Sequence, residues 1–87
     1  MNPQKIRILL VDNNLDNLHF LSDILQHQSY QVQSAISGEL AINMALASPP
    51  DLILLDVLMS EMDGYEVCQH LKANQKTQEI PIIFFGV

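Results

Sequence analysis

Basic residues are scarce in this sequence of 87 residues, which has four lysines and arginines against ten aspartates and glutamates and a net charge of -6. No lysine or arginine occurs between Ile8 and Leu71. A protein that binds nucleic acid directly needs a basic surface that neutralises the phosphates. We therefore expect no direct binding to nucleic acid.

Cysteine is almost absent as well, since Cys68 is the only one. It can form no intramolecular disulfide and has no Cys or His at metal-ligand spacing, so we interpret it as a small residue on the inner face of a helix. The first residues also lack the apolar stretch of a signal peptide, so we expect none, and no apolar run approaches the ~20 residues that span a bilayer. We expect a soluble, cytoplasmic protein that does not bind membranes.

Four short segments predict β-strands. Residues 8–11 and 52–55 are continuous apolar runs, each followed at once by an aspartate, which is typical of parallel strands covered on both faces. Residues 82–85 form a third apolar run after Pro81. Residues 30–35 are less apolar and predict a strand near a sheet edge.

Between these segments the apolar residues recur with the helical period of 3.6. The pattern predicts a helix from about Leu15 to His27 capped by Asn14, a second capped by Ser37, and a third beginning at Gly64. The residues expected to face inward are, helix by helix, Leu15, Leu18, Leu21, Ile24 and Leu25, then Leu40, Ala41, Met44 and Ala45, then Tyr65, Val67, Cys68 and Leu71. The order β-α-β-α-β-α-β indicates one α/β domain over residues 1–87, with a parallel sheet and helices on its faces.

Polar residues follow two of the predicted strands. Asp12 and Asn13 come at the end of the first strand, and Asp56 comes at the end of the third. Ligands of open α/β sheets bind beyond the carboxyl ends of the strands, and oxygen ligands of this kind suit Mg²⁺ together with a phosphoryl group. Taken alone, Asp12 is more simply interpreted as a cap of the next helix. Two aspartates at matching strand ends favour a functional pocket.

Three segments of the chain resemble the receiver domain of two-component response regulators. They are residues 8–14, residues 54–67 and residues 80–85, and the similarity extends over the whole chain in register. The resemblance implies a flavodoxin-like (CheY-like) fold with three αβα layers and strand order 2-1-3-4-5, of which this chain would contain 2-1-3-4. It also implies that Asp56 accepts a phosphoryl group from a histidine kinase or a phosphotransfer protein in the presence of Mg²⁺.

The same resemblance assigns the metal ligands. Asp12 would hold a metal-bound water, residue 13 would ligate the metal directly, and Asp56 and the backbone carbonyl of Leu58 would complete the protein ligands. Residue 13 is Asn where the family usually has an aspartate, and a neutral amide oxygen predicts weaker Mg²⁺ binding. The resemblance implies a signalling module, not an enzyme.

The sequence departs from the family at its carboxyl end. Gly86 occupies the place of the Thr or Ser that bonds the phosphoryl group in the family, and the chain ends at Val87, before the family's last helix, strand and helix and its phosphoryl-binding lysine. We expect a domain truncated at its C-terminus. Residues 82–85 would then form an exposed apolar edge, which predicts a homodimer through the fourth strand or the uncovered sheet face, unless the sequence is a fragment.

Two functions are consistent with these residues. One is a receiver that is phosphorylated on Asp56, and the other is a degenerate receiver that cannot switch and acts as an interaction or dimerisation module. A phosphatase like the haloacid dehalogenases is disfavoured, because that family needs an aspartate two residues after its nucleophile and Leu58 is there instead. The three histidines have no metal-site spacing and are expected to face solvent, namely His19, His27 and His70.

Overall fold

Strands and helices alternate along the chain in the computed structural model, which describes residues 5–86. The elements are β1 (Arg7–Val11), α1 (Leu15–His27), β2 (Gln31–Ala35), α2 (Gly38–Ala47), β3 (Leu52–Asp56), α3 (Gly64–Lys72) and β4 (Ile82–Phe85). This order confirms the predicted β-α-β-α-β-α-β pattern. The predictions about residues 1–4 and Val87, including the absence of a signal peptide, lie outside the described residues.

The four strands form one parallel sheet in the order β2-β1-β3-β4. β1 pairs with β2 on one side and with β3 on the other, and Val11 lies level with Ala35 and Leu55. The expected order 2-1-3-4 is confirmed, and β2 lies at an edge as predicted. Because the chain passes from β1 to β2 on one side and then to β3 on the other, the strand order reverses between β1 and β3. This reversal brings the residues after β1 and β3 to one edge of the sheet.

The larger core lies between the sheet and the pair of helices α2 and α3. It contains Leu9, Val11, Ile53 and Leu55 from the strands, Ala41 and Ala45 from α2, and Val67 and Leu71 from α3. Cys68 is half-buried against this core, in agreement with its predicted place on the inner face of the helix.

Gly38 allows α2 to lie close to α3. A Cβ atom added at Gly38 would lie 2.5 Å from Cγ2 of Val67 and 3.1 Å from the sulfur of Met62. Nothing in the local sequence identifies this contact, because it joins segments that are far apart in the chain.

The opposite face of the sheet is covered by α1, which packs over β1 and β2. Leu18 is buried, but Leu15 is 60% exposed and Ile24 is 45% exposed, so the prediction that both face inward is wrong. Among residues 5–86 no second helix packs beside α1, and the outer part of its apolar stripe therefore stays exposed. A helical period shows which residues share a face, but it does not show how much of that face a neighbouring element covers.

Two further residues predicted to face inward are exposed. In α2 the buried residues are Ala41 and Ala45, and Leu40 is rotated by about 100° from Ala41, which takes it out of the core. In α3 Tyr65 is exposed and packs on the ring of Phe84 in β4, with 5.1 Å between ring centroids.

Side-chain caps explain where the three helices begin. The Asn14 side chain accepts a hydrogen bond from the Asn17 N–H at 3.0 Å, and Ser37 Oγ accepts one from the Leu40 N–H at 3.1 Å, as predicted. Asp63 Oδ1 caps α3 in the same way by accepting from the Glu66 N–H, a role that the sequence analysis did not assign. The helices are short, and none in residues 5–86 has the length and apolar character needed to cross a membrane.

Candidate functional site

Asp12 and Asp56 lie side by side at the carboxyl edge of the sheet. Asp12 follows β1 and Asp56 ends β3, and their side chains are 1% and 7% exposed. Burial raises the pKa of the Asp56 carboxyl, the hydrogen bond from the Leu58 N–H opposes this rise, and the hydrogen bond and negative charge of Asp12 add to it. The two strands thus hold two carboxyl groups close together in a place that disfavours two negative charges.

Asp12 is fixed by the first turn of α1. Its Oδ1 accepts a hydrogen bond from the Asn14 N–H at 3.0 Å, and its Oδ2 accepts one from Asn17 Nδ2 at 3.2 Å. The cap of α1 is Asn14, so the interpretation of Asp12 as a helix cap is wrong. Asp12 instead presents a buried carboxyl group beside Asp56.

Asp56 is fixed by the loop that follows β3. Its Oδ1 accepts a hydrogen bond from the Leu58 N–H at 3.0 Å, and no backbone N–H of residues 5–86 donates to its Oδ2. Gly64 supports this loop, because a Cβ added there would lie 2.6 Å from the Asp56 carbonyl oxygen and 2.8 Å from Cα of Val57. Gly64 is therefore needed for close backbone contact and not for flexibility, since its φ is not positive.

Gly86 lies directly against Asp56. It has a φ of +81°, and a Cβ added in this conformation would collide with Asp56 Oδ1. The end of β4 is held there by a hydrogen bond from the Val57 N–H to the Phe85 carbonyl at 3.0 Å. Any side chain at position 86 would have to move either this backbone or Asp56.

The oxygen atoms at this edge have the chemistry that a hard cation prefers in its ligands, although few of them are available. Oxygen atoms are the ligands that Mg²⁺ prefers, and two adjacent carboxyl groups are more stable with a cation between them. The Leu58 carbonyl accepts no hydrogen bond from residues 5–86, and Asn13 is exposed beside Asp12. No group of three or more His, Cys, Asp or Glu in this part of the chain could hold a metal ion. A cation here would therefore keep several waters.

A cavity of about 370 Å³ opens at Asn13, the residue that follows Asp12. It is lined by Asn13 after β1, by residues 36–39 before and at the start of α2, and by residues 59–62 and Glu66 around the start of α3. The sequence analysis did not predict this cavity, because its walls come from three separate segments. The histidines lie elsewhere and are exposed, as expected.

Comparisons with known proteins agree with this architecture. The family model of the response regulator receiver domain matches residues 8–87. A probable cyclic di-GMP phosphodiesterase of Vibrio cholerae is 46% identical over 77 residues, which make up 88% of this chain and 17% of that protein. This chain therefore spans less than a fifth of that relative.

Two solved structures are similar in fold. The N-terminal domain of a response regulator receiver protein from Methanoculleus marisnigri JR1 has a TM-score of 0.87 and 35% identity, over 90% of this chain and 63% of that one. The receiver domain of the sensor histidine kinase PA1611 from Pseudomonas aeruginosa PAO1 has a TM-score of 0.88 and 28% identity, over 93% of this chain and 66% of that one. That structure has a magnesium ion coordinated in its active site cleft. This chain belongs to the family of response regulator receiver domains.

Proposed function

We propose that this receiver domain accepts a phosphoryl group on Asp56 from a phosphohistidine of a histidine kinase or a phosphotransfer protein. The observation that carries the proposal is the pair of buried carboxyl groups, Asp12 and Asp56, at the point where the strand order reverses. In the transfer, a bond forms between Asp56 Oδ2 and phosphorus, the bond from phosphorus to the histidine nitrogen breaks, and the nitrogen takes up a proton. The domain acts in signalling and not as an enzyme with turnover of its own.

The described residues support this step by orienting the nucleophile. The Leu58 N–H holds Asp56 Oδ1, which leaves Oδ2 for attack. Asp12 cannot rotate away because Asn14 and Asn17 both donate to it. Burial and the neighbouring Asp12 raise the pKa of Asp56, and a nearby positive charge would favour the ionised nucleophile.

Mg²⁺, when bound, neutralises the carboxylates and the phosphoryl oxygens. We assign its protein ligands to Asp56, to Asn13, to the backbone carbonyl of Leu58 and, through water, to Asp12. Asn13 contributes a neutral oxygen where a carboxylate would add charge, so the affinity is expected to be low. Cytoplasmic location follows from this role as an expectation.

The test is incubation with acetyl phosphate and Mg²⁺, followed by intact-mass analysis. We expect one added phosphoryl group in the natural sequence and none in Asp56→Asn, which keeps the shape and the Leu58 hydrogen bond. Asp16→Asn, which changes an exposed carboxylate in the first turn of α1, is the matched control and should still be modified. An adduct that persists in Asp56→Asn would place the acceptor elsewhere.

A second candidate function is a receiver that does not switch, and the contact of Gly86 with Asp56 favours it. Glycine has no hydroxyl to bond a phosphoryl group, and Gly86 lies directly against the Asp56 carboxyl group. NMR spectra with and without the phosphoryl mimic beryllofluoride distinguish the two. Shifts confined to the neighbours of Asp56 support this candidate, and shifts extending along β4 support switching.

The second candidate function includes the formation of a homodimer. Ile83 is 52% exposed on the α1 face of β4, and Phe84 is exposed on the other face. An exposed apolar strand at a sheet edge is a pairing site for a second strand. Sedimentation velocity over a wide concentration range should show dimers, and Ile83→Lys should abolish them. A monomer at every concentration would contradict this.

A further inference from the structure

The cavity at Asn13 has an apolar floor and a polar rim. Met59 is buried and Met62 packs against the core, and both line the cavity. Asn13, which follows Asp12, and Met59, which follows the Leu58 N–H donor of Asp56, belong to the same lining, so a group bound here would lie near the aspartate pair without touching it. The shape therefore suits a side chain with an apolar stem and a polar head.

The rim of the cavity is acidic. Glu39, Glu61 and Glu66 line it, and all three are exposed. The four lysines and arginines of the chain lie at the other end of the sheet, since two are at the start of β1 and two at or after the end of α3. Arg7 and Lys72 are also engaged in hydrogen bonds to backbone carbonyls there. The described part of the chain thus leaves the acidic rim without a cation.

The arrangement of the glutamates selects the kind of cation. They do not form a group that could hold a metal ion, so their carboxylates are spread along the rim and do not converge on one point. A guanidinium group carries five N–H donors in a plane and can reach several separated acceptors, while its aliphatic stem packs on apolar side chains. An arginine matches both the rim and the floor.

We propose that this cavity binds an arginine side chain of the protein that donates the phosphoryl group to Asp56. The identity of the partner rests on the proposed function, because a phosphohistidine must approach this edge of the sheet to reach Asp56. The binding of arginine does not depend on phosphorylation. It adds a basic side chain to an end of the molecule where this chain has no lysine or arginine, and it fixes the side of Asp56 on which the partner docks.

The direct test is an NMR titration of the ¹⁵N-labelled chain with a capped Gly-Arg-Gly peptide. We expect saturable shifts centred on residues 37–39 and 59–62, with affinity in the millimolar range and decreasing with salt. The same peptide with citrulline, which has the shape of arginine but no charge, should bind about tenfold more weakly, which corresponds to about 1.4 kcal/mol. Equal binding of the two peptides would overturn the proposal.

Substitutions of the glutamates at the rim test whether the peptide binds in this cavity. Glu39→Gln and Glu61→Gln should each weaken binding about twofold to fivefold, as expected for partly exposed ion pairs, and the variant with both changes and Glu66→Gln should abolish it. Glu79→Gln removes an exposed carboxylate before β4, outside the cavity lining, and should have no effect. An equal loss of peptide binding in Glu79→Gln would show that the net charge of the protein determines the binding and the position of the glutamates does not. If acetyl phosphate fails to modify Asp56 while arginine still binds, the proposed function fails and the cavity assignment stands.

Discussion

At the amino ends of the strands, basic side chains are bonded into the fold, whereas at the carboxyl ends two acidic side chains lie together without a basic neighbour. Arg7 donates from its guanidinium to Ser48 Oγ and to the Pro49 carbonyl, beyond the end of α2. Asp12 and Asp56 have the opposite surroundings, since only backbone N–H groups and an amide stabilise their charges.

The loop between α3 and β4 belongs to the stabilised end. Lys72 Nζ donates to the carbonyls of Gln78 and Ile80, and the buried hydroxyl of Thr77 donates to the carbonyl of Leu71. The bonds of Lys72 satisfy two carbonyl groups that the turn after α3 would otherwise leave open, and Thr77 adds a second donor to the Leu71 carbonyl, which also accepts from the Asn74 N–H at 3.4 Å. The comparison indicates that this end stabilises the fold, while the carboxyl end holds two carboxyl groups in surroundings that disfavour their charges.

The largest loss of stability is expected from Thr77→Val at the stabilised end. Valine has the same shape, but it leaves the Leu71 carbonyl with only the long 3.4 Å bond from the Asn74 N–H, at a cost of about 2 kcal/mol. Urea denaturation measures the free energy of unfolding. Thr77→Ser keeps the hydroxyl and should lose clearly less. Equal losses in the two variants would show that the methyl group matters and the hydrogen bond does not.

A somewhat smaller loss is expected from Lys72→Met, which keeps the aliphatic stem and removes the charged donor. Hydrogen bonds to charged groups contribute about 1.5 kcal/mol or more, reduced here by the exposure of the side chain. Lys76→Met is the matched control, because the Lys76 side chain makes no hydrogen bond to residues 5–86, and it should change stability by less than about 0.5 kcal/mol. Thermal unfolding compares the two. Similar changes in Tm in both variants would show that the hydrogen bonds of Lys72 do not stabilise the fold.

At the other end of the sheet a substitution should increase stability. We expect Asp56→Asn to stabilise the domain at neutral pH. A carboxyl group whose pKa is raised by folding favours the folded state below its ordinary pKa, and this contribution is lost as the pH rises through the raised value. Asparagine avoids the loss and keeps an acceptor for the Leu58 N–H. A gain of about 1 kcal/mol raises Tm by about 4–8 °C in a domain of this size.

The pH dependence distinguishes this cause from better packing. The gain should be present at neutral pH, should shrink as the pH falls through the raised pKa of Asp56, and should be gone below the ordinary carboxyl value of 3.8. Asp23→Asn changes an exposed carboxylate of α1 and is the control, with no gain expected. A gain that is constant from acid to neutral pH would show that charge is not its origin.

The same comparison shows what could be predicted from the sequence. The limits of α1 and its cap Asn14 follow from local rules, and the positions of Asp12 and Asp56 follow from strand ends in a parallel sheet. The exposure of Leu15 and the fit of Gly38 could not be predicted, because each depends on which other element lies nearby.

The contact between Gly86 and Asp56 also could not be predicted from the sequence. The sequence analysis identified Gly86 by the hydroxyl that it lacks, whereas in the structure its backbone occupies the space next to Asp56 Oδ1. The cavity has the same origin, since three loops meet there. Local periodicity therefore predicts the elements, and only their assembly shows the surroundings of the site.

The smallest effect on stability and the most specific effect on binding are expected from Asn13→Asp. A third carboxylate beside Asp12 and Asp56 should lower the free energy of unfolding by about 0.5 kcal/mol without Mg²⁺, because like charges repel. With Mg²⁺ it should tighten binding about tenfold, measured by the rise in Tm during a Mg²⁺ titration, since a ligand of the folded state stabilises by mass action. Asn43→Asp adds the same charge on the exposed face of α2, away from the aspartates, and should leave Mg²⁺ binding unchanged. Equal tightening in both variants would mean that net charge attracts the ion and that residue 13 does not ligate it.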